Sequence, residues 1–299
     1  MSLLETENAF RSGKLAKADY IESMFQHHSL LPEYQRLMAE RGVKQVLVTP
    51  NEVVFQFEED NLKFIVNVQD RRTAALEVLN FGPYESVDAN CIFKYLQGAK
   101  VFLDIGANLG WYSVKAALRD PNLKIYAIEP IPSLCRLLNR NCELNDTSQI
   151  KIFDIGFGKV NGRAEFFYSP TMSVAASLRN ITERPDVEKV YCQILTLDEF
   201  VRNEALTRLD FIKCDVEGAE KLVFDGGQQT LTKFRPIVFC ELLRKWSAKF
   251  DYHPNEVIMM FHDLNYRVFI PTDAGIQPIS EIDETTVATN FLFMPKERI

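Results

Sequence analysis

The chain lacks an apolar run near the roughly 18 residues that a membrane-spanning helix needs. Its first residues, MSLLETENAFRSGK, hold no hydrophobic stretch of the signal-peptide kind. Basic residues are outnumbered: 34 Lys and Arg stand against 41 Asp and Glu, a formal charge of −7. A protein that tracks a phosphate backbone needs a basic face, so no nucleic-acid partner is expected. The six cysteines form no C-x-x-C pair and no zinc-like spacing. Cys214 and Cys240 sit inside apolar runs, where cysteine acts as a small hydrophobe, and the expected setting is reducing and cytoplasmic. His27 and His28 diverge in direction on a helix and have no third ligand nearby. Repeats and low-complexity tracts are absent too.

What is present is a large potential core, with 46% of residues hydrophobic. Residues 15–42 read as helix, broken near Pro32 and stopped at Gly42. Alternation over 46–68 predicts an antiparallel meander, and 72–96 reads as helix broken around Gly82 and Pro83. These elements make residues 1–83 an N-terminal helical and β-meander extension. Residues 84–299 read as one α/β domain. Within it, strands over 101–105, 124–129, 150–155, 210–215 and 236–241 alternate with helices over 110–118, 131–144 and 254–264. That alternation predicts a mostly parallel sheet. A final strand pair, 266–270 and 289–294, predicts an antiparallel edge. A polar loop is expected over 173–185, between strands over 162–168 and 189–197. Thr196 and Glu199 form a capping-box pattern for the following helix.

The stretch VFLDIGANLGWYS (101–113) organises the rest. An apolar run ends in Asp104; Gly106 and Gly110 follow, with Asn108 between them, and then a helical run. Strand, glycine turn and helix make the opening unit of a nucleotide-binding α/β sheet. A dinucleotide fingerprint would need glycine at 108 and 111, where Asn and Trp stand, so a dehydrogenase is disfavoured. Glu129 closes the next strand 19 residues past Gly110, near the offset at which an acid meets ribose hydroxyls. The D-x-G-x-N-x-G form, with Glu129-Pro130, resembles S-adenosylmethionine-dependent methyltransferases.

Asp104, Glu129, Asp215 and Glu241 close four core strands. Ligands of open α/β sheets bind outside the carboxyl ends of the strands, so all four acids should line one crevice. Such a crevice suits a cofactor carrying a sulfonium and an ammonium group. Glu129 is the expected ribose acid. Asp104 should support the methionine end or the glycine turn, with Tyr112 and Asn108 candidate contacts there. Lys213 is out of place in a buried parallel strand and is expected to pair with a crevice acid.

Taken together, the motifs resemble the FkbM family of S-adenosylmethionine-dependent methyltransferases, many of which O-methylate sugars in glycans, lipopolysaccharides or natural products. The likeness runs from Tyr84 to Glu241 and rests on Tyr84-Glu85, 104–110, Glu129-Pro130, NRNCELN (139–145), LTLD (195–198) and DFIKCDVEGAEKLVFDGG (210–227). It implies a class I, Rossmann-like methyltransferase fold. By position it implies Glu85, Asp104, Gly106, Asn108, Gly110, Glu129 and Asn145 as cofactor neighbours, with Asp154 near the adenine. Many relatives place a histidine soon after the fifth-strand acid; here Leu242, Leu243 and Arg244 follow Glu241. His253 is then the candidate to serve the acceptor side from a loop. The expected reaction is methyl transfer to a hydroxyl, most readily of a sugar. Asp215 or His253 would be the base, and Glu241 an orienting group. Asp215 and Glu241 could also hold a divalent cation. A non-catalytic binding or assembly module, and a protein or small-metabolite acceptor, are the alternatives. The N-terminal segment could cover the acceptor or form a homodimer face.

Overall fold

Strand Val101–Ile105 has every residue buried, because it has a parallel neighbour on each side. It is central to an eight-stranded sheet in the computed structural model, which describes residues 1–299. From edge to edge the strands are Gly275–Ile279, Tyr266–Thr272, Asn290–Pro295, Ile237–Glu241, Phe211–Cys214, Val101–Ile105, Lys124–Ile128 and Ile150–Phe153. The last five are mutually parallel, while Asn290–Pro295 pairs antiparallel with Ile237–Glu241. This is the mostly parallel α/β sheet with an antiparallel edge that the sequence predicts. The parallel order carries Asp104, Glu129, Asp215 and Glu241 to one edge of the sheet.

The glycine turn forms where the sequence predicts it. Gly106 and Gly110 adopt φ of +78° and +84°, and Asn108 adopts +49°. A Cβ on Gly106 would lie 1.8 Å from the Asp215 carbonyl oxygen, so only glycine lets the two loops meet. The helix Trp111–Arg119 starts directly after the turn. Trp111 is clamped edge-on by Phe57, Phe64 and Tyr84, with ring centroids 5.5, 5.3 and 5.7 Å away. Each such pair adds about 0.5–1.5 kcal/mol beyond area burial.

That clamp joins the meander to the sheet. Strands Val43–Val48, Val53–Phe57 and Lys63–Val66 form the expected antiparallel unit. Val43, Phe55, Phe57 and Phe64 share one hydrophobic core with Phe102, Ile125 and Leu138. Asn141 and Asn145, on helix Pro132–Leu144 and at its end, pin the outer strand of the meander. Their Oδ1 atoms accept from the Ile65 and Lys63 amides, each at 2.8 Å.

Elsewhere the structure departs from the sequence reading. Asp154 breaks the third strand, and Ile155–Phe157 joins a separate four-stranded sheet. That sheet is completed by Glu188–Leu195, Gly162–Ser169 and Met172–Ser177; the last of these replaces part of the expected polar loop. Its MSVAAS sequence alternates too weakly to mark it as a strand. A first helix, Leu3–Arg11, is capped reciprocally by Ser2 and Glu5. At Thr196 only the hydroxyl half of the box forms, accepting from the Glu199 amide. All six cysteines are free and five are buried. No helix is long and apolar enough to cross a membrane.

Candidate active site

A cavity of about 590 Å³ opens at the carboxyl edge of the parallel strands. One side is built by Glu85, the Gly106–Leu109 turn, Tyr112, Glu129 and Pro130. The other is built by Asp215, Glu217, Glu241, Lys245 and Trp246. Ser173 to Ala176, on the inserted sheet, close it from above together with Arg184.

Glu129 is buried, and both of its carboxylate oxygens accept backbone amides. Oε2 takes the Asn108 N–H and Oε1 takes the Ile131 N–H, each at 2.9 Å. Burial pushes its carboxyl up to about 7 despite those two bonds. The Asn108 side chain donates from Nδ2 to the Ser173 carbonyl at 3.1 Å, tying the turn to the inserted sheet. Glu85, in the left-handed region at φ +45°, accepts the Tyr112 hydroxyl at 2.6 Å. Asp104 lies beneath the turn rather than along the cavity, where it accepts the Ser113 hydroxyl at 2.6 Å. Burial raises its carboxyl.

Lys213 is paired as expected. Its Nζ donates to Asp215 Oδ2 at 3.1 Å, and the strand register sets it opposite Asp104. Burial alone would depress this ammonium, but the charges of Asp215, Asp104 and Glu85 hold it above its usual range. Carboxylate oxygens of Asp215, Glu217 and Glu241 lie within 4.8 Å of one another, a spacing that can hold a divalent cation. Burial, then the Asp215 charge, pushes Glu241 up to about 10 and Glu217 well above the carboxylate range.

Glu217 was not among the residues that sequence reasoning selected. It stands two residues past Asp215 in the turn to helix Glu220–Asp225, at φ +55°, before Gly218 at φ +100°. Glu220 shapes this turn by accepting the Val216 and Gly218 amides at 3.1 and 3.0 Å. The available signal was a glutamate–glycine pair one intervening residue beyond a strand-end acid.

Besides Asp104, Gly110 lies off the cavity, where an added Cβ would meet Leu138 at 2.0 Å, and three further expectations fail on position. Asp154 is exposed at the sheet edge and does not line the cavity, because the chain turns away there into the second sheet. Asn145 is spent on the meander: its amide also donates to the Lys63 and Asn141 carbonyls, at 2.6 and 2.7 Å. His253 is exposed and outside the cavity. Its Nδ1 accepts the Asn255 amide at 3.2 Å and its own N–H donates to Glu256, so it caps helix Asn255–Asp263. Neighbouring Tyr252 is buried with its hydroxyl on Glu220, and only Trp246 of the two aromatics reaches the cavity.

The family profile of the methyltransferase FkbM domain matches residues 104–268. The chain is 29% identical over 152 residues to methyltransferase sdnD of Sordaria araneosa, covering 42% of this chain and 59% of that protein. It is 27% identical over 148 residues to the 2-O-methyltransferase NoeI of Sinorhizobium fredii, covering 45% and 60%. It thus spans about three fifths of the length of these two relatives. The solved methyltransferase FkbM from Methylobacillus flagellatus KT aligns over 65% of this chain and 43% of that one. Identity there is 16% and the TM-score 0.40.

Proposed function

Because the chain belongs to the methyltransferase FkbM domain family, we propose that it transfers a methyl group from S-adenosylmethionine to a hydroxyl, most suitably of a sugar. The observation that carries this reading is the Gly106–Gly110 turn locked to Glu129 at the mouth of an acidic cavity. The cavity volume falls in the range of roughly 300–1,000 Å³ common for small-molecule and cofactor sites. The Gly106–Leu109 turn lines the cavity, and Glu129 keeps unused lone pairs on both oxygens for a ribose diol. Glu85 and Tyr112 would flank the methionine end. The bound group supplies an already activated methyl, so the protein's task is to align a hydroxyl in line with it and to remove a proton.

Asp215 is the proposed proton acceptor. Lys213 Nζ holds its carboxylate in place at 3.1 Å, while burial and then the Asp215 charge push Glu217 and Glu241 toward the neutral form that can donate a hydrogen bond to the acceptor. Asp215, Glu217 and Glu241 are the residues that would hold a divalent cation, which would supply polarisation of the acceptor hydroxyl. Trp246 offers a ring at the acceptor end, with Lys245 Nζ 4.2 Å from its centroid; Arg184 and Glu241 add hydrogen-bonding groups suited to a polyol. The relative NoeI, a 2-O-methyltransferase, supports methyl transfer to a hydroxyl oxygen.

Asp215→Asn tests the assignment. Turnover with a sugar acceptor should be abolished while S-adenosylhomocysteine still binds; turnover at the wild-type rate would remove Asp215 as the base.

A further inference from the structure

The N-terminal helices bury little in their own chain, beyond Leu37 and Met38 packed partly against the main core and Phe10 stacked on Tyr20. Helices Lys17–His28 and Leu31–Arg41 contain no buried residue, and Leu3–Arg11 contains only Thr6. A helix this short is marginal in water unless an amphipathic face is packed. The apolar faces exist: Ile21 and Phe25, one turn apart, are 57% and 63% exposed, and Leu31 is 67% exposed. Of the 17 large hydrophobic residues exposed on the whole chain, 10 fall within residues 1–48.

Strand Val43–Val48 continues this surface. The meander has two edges, and they are treated differently. The Lys63–Val66 edge is capped by Asn141 and Asn145. The Val43–Val48 edge bonds to no strand beyond Val53–Phe57, and Leu47 and Val48 stand out from it. An open strand edge beside apolar helices is a template for pairing with another chain.

We infer that residues 1–48 form the face through which two copies of this chain associate, edge strand against edge strand about a two-fold axis, with the helices crossing over it. Charge favours a second copy over a foreign partner. Residues 1–48 carry six acids and six bases, whereas the chain as a whole carries −7. A balanced, mixed surface can match its own charges in an isologous interface, and it offers neither an acidic partner nor an anionic membrane a net attraction. A standard interface takes ~800 Å² per partner, and Ile21, Phe25 and Leu31 on the helices with Leu47 and Val48 on the open edge supply exposed apolar surface toward it. Membrane docking would instead need a strongly basic polar face on these helices.

The test is sedimentation velocity of the full chain across the micromolar range. Wild type should sediment as a dimer, at twice 34.4 kDa. Ile21→Glu with Phe25→Glu should give a folded monomer, with unchanged circular dichroism outside the association signal. If that variant misfolds, Leu47→Lys with Val48→Lys at the edge strand should do the same. A wild type that stays monomeric overturns the inference, including one that instead binds anionic vesicles. So does a dimer that neither folded variant weakens.

Discussion

The backbone amide of Asn108 donates to Oε2 of Glu129 at 2.9 Å, so the turn after one strand is fixed by the acid that ends the next. The same acid is the proposed ribose ligand. A shift in its protonation therefore acts on both the fold and the cofactor cradle.

Burial raises the Glu129 carboxyl from 4.5 to about 7. The folded state then holds a proton that the unfolded chain has released, and the sign follows. This group's contribution is complete below pH 4.5 and is lost as pH rises through about 7, for ~3 kcal/mol in all. Surface acids held low by salt bridges act in the opposite direction, so the difference between wild type and Glu129→Gln isolates the effect. Urea unfolding on either side of that window should show a smaller loss of stability with rising pH in the variant. An equal slope in both proteins would contradict the assignment.

Gly106→Ala should destabilise the chain by about 2–5 kcal/mol, from a left-handed backbone plus a clash that backbone atoms cannot relieve. Gly98 is the control. Its φ is +80°, yet nothing lies within 4 Å of an added Cβ. Gly98→Ala should therefore cost only the backbone part, ~1–2 kcal/mol. Thermal unfolding of the two variants separates close approach from dihedral strain, and equal costs would refute the close approach.

Two residues that sequence position links to the site should behave as structural. Asn145→Ala loses its bonds to both backbone groups of Lys63 and should cost about 1–3 kcal/mol in stability, with S-adenosylhomocysteine affinity unchanged. His253→Ala should leave turnover unchanged, since its ring serves only the start of helix Asn255–Asp263. A large loss of turnover in His253→Ala would return it to the acceptor side.

These contrasts show what the chain discloses on reading. The turn at Gly106 and the acid at Glu129 were legible because positive φ and a strand-end carboxylate demand particular residue types at a fixed spacing. Lys213 was legible as an exception, since a lysine in a buried strand must find a partner. Asp154 was not, because strand-end position looks the same whether the chain stays at the sheet or leaves for a second one. His253 and Asn145 carry chemistry fit for a site, and only tertiary placement shows that a helix cap and a strand edge use it. Glu217 was hidden for the converse reason: a loop glutamate has no periodicity, and its approach to Glu241 depends on the turn that Glu220 shapes. The helix Leu3–Arg11 was readable from Ser2 and Glu5, a reciprocal cap on a segment with little apolar pattern.

The most direct test of the central claim is calorimetric titration of wild type and Glu129→Ala with S-adenosylhomocysteine, with NAD alongside. Wild type should bind S-adenosylhomocysteine and not NAD. Glu129→Ala should weaken binding by about 1.5–3 kcal/mol, the scale of hydrogen bonds to a charged group. Absence of binding to wild type, or equal binding by the variant, would contradict the cofactor assignment on which the proposed methyl transfer rests.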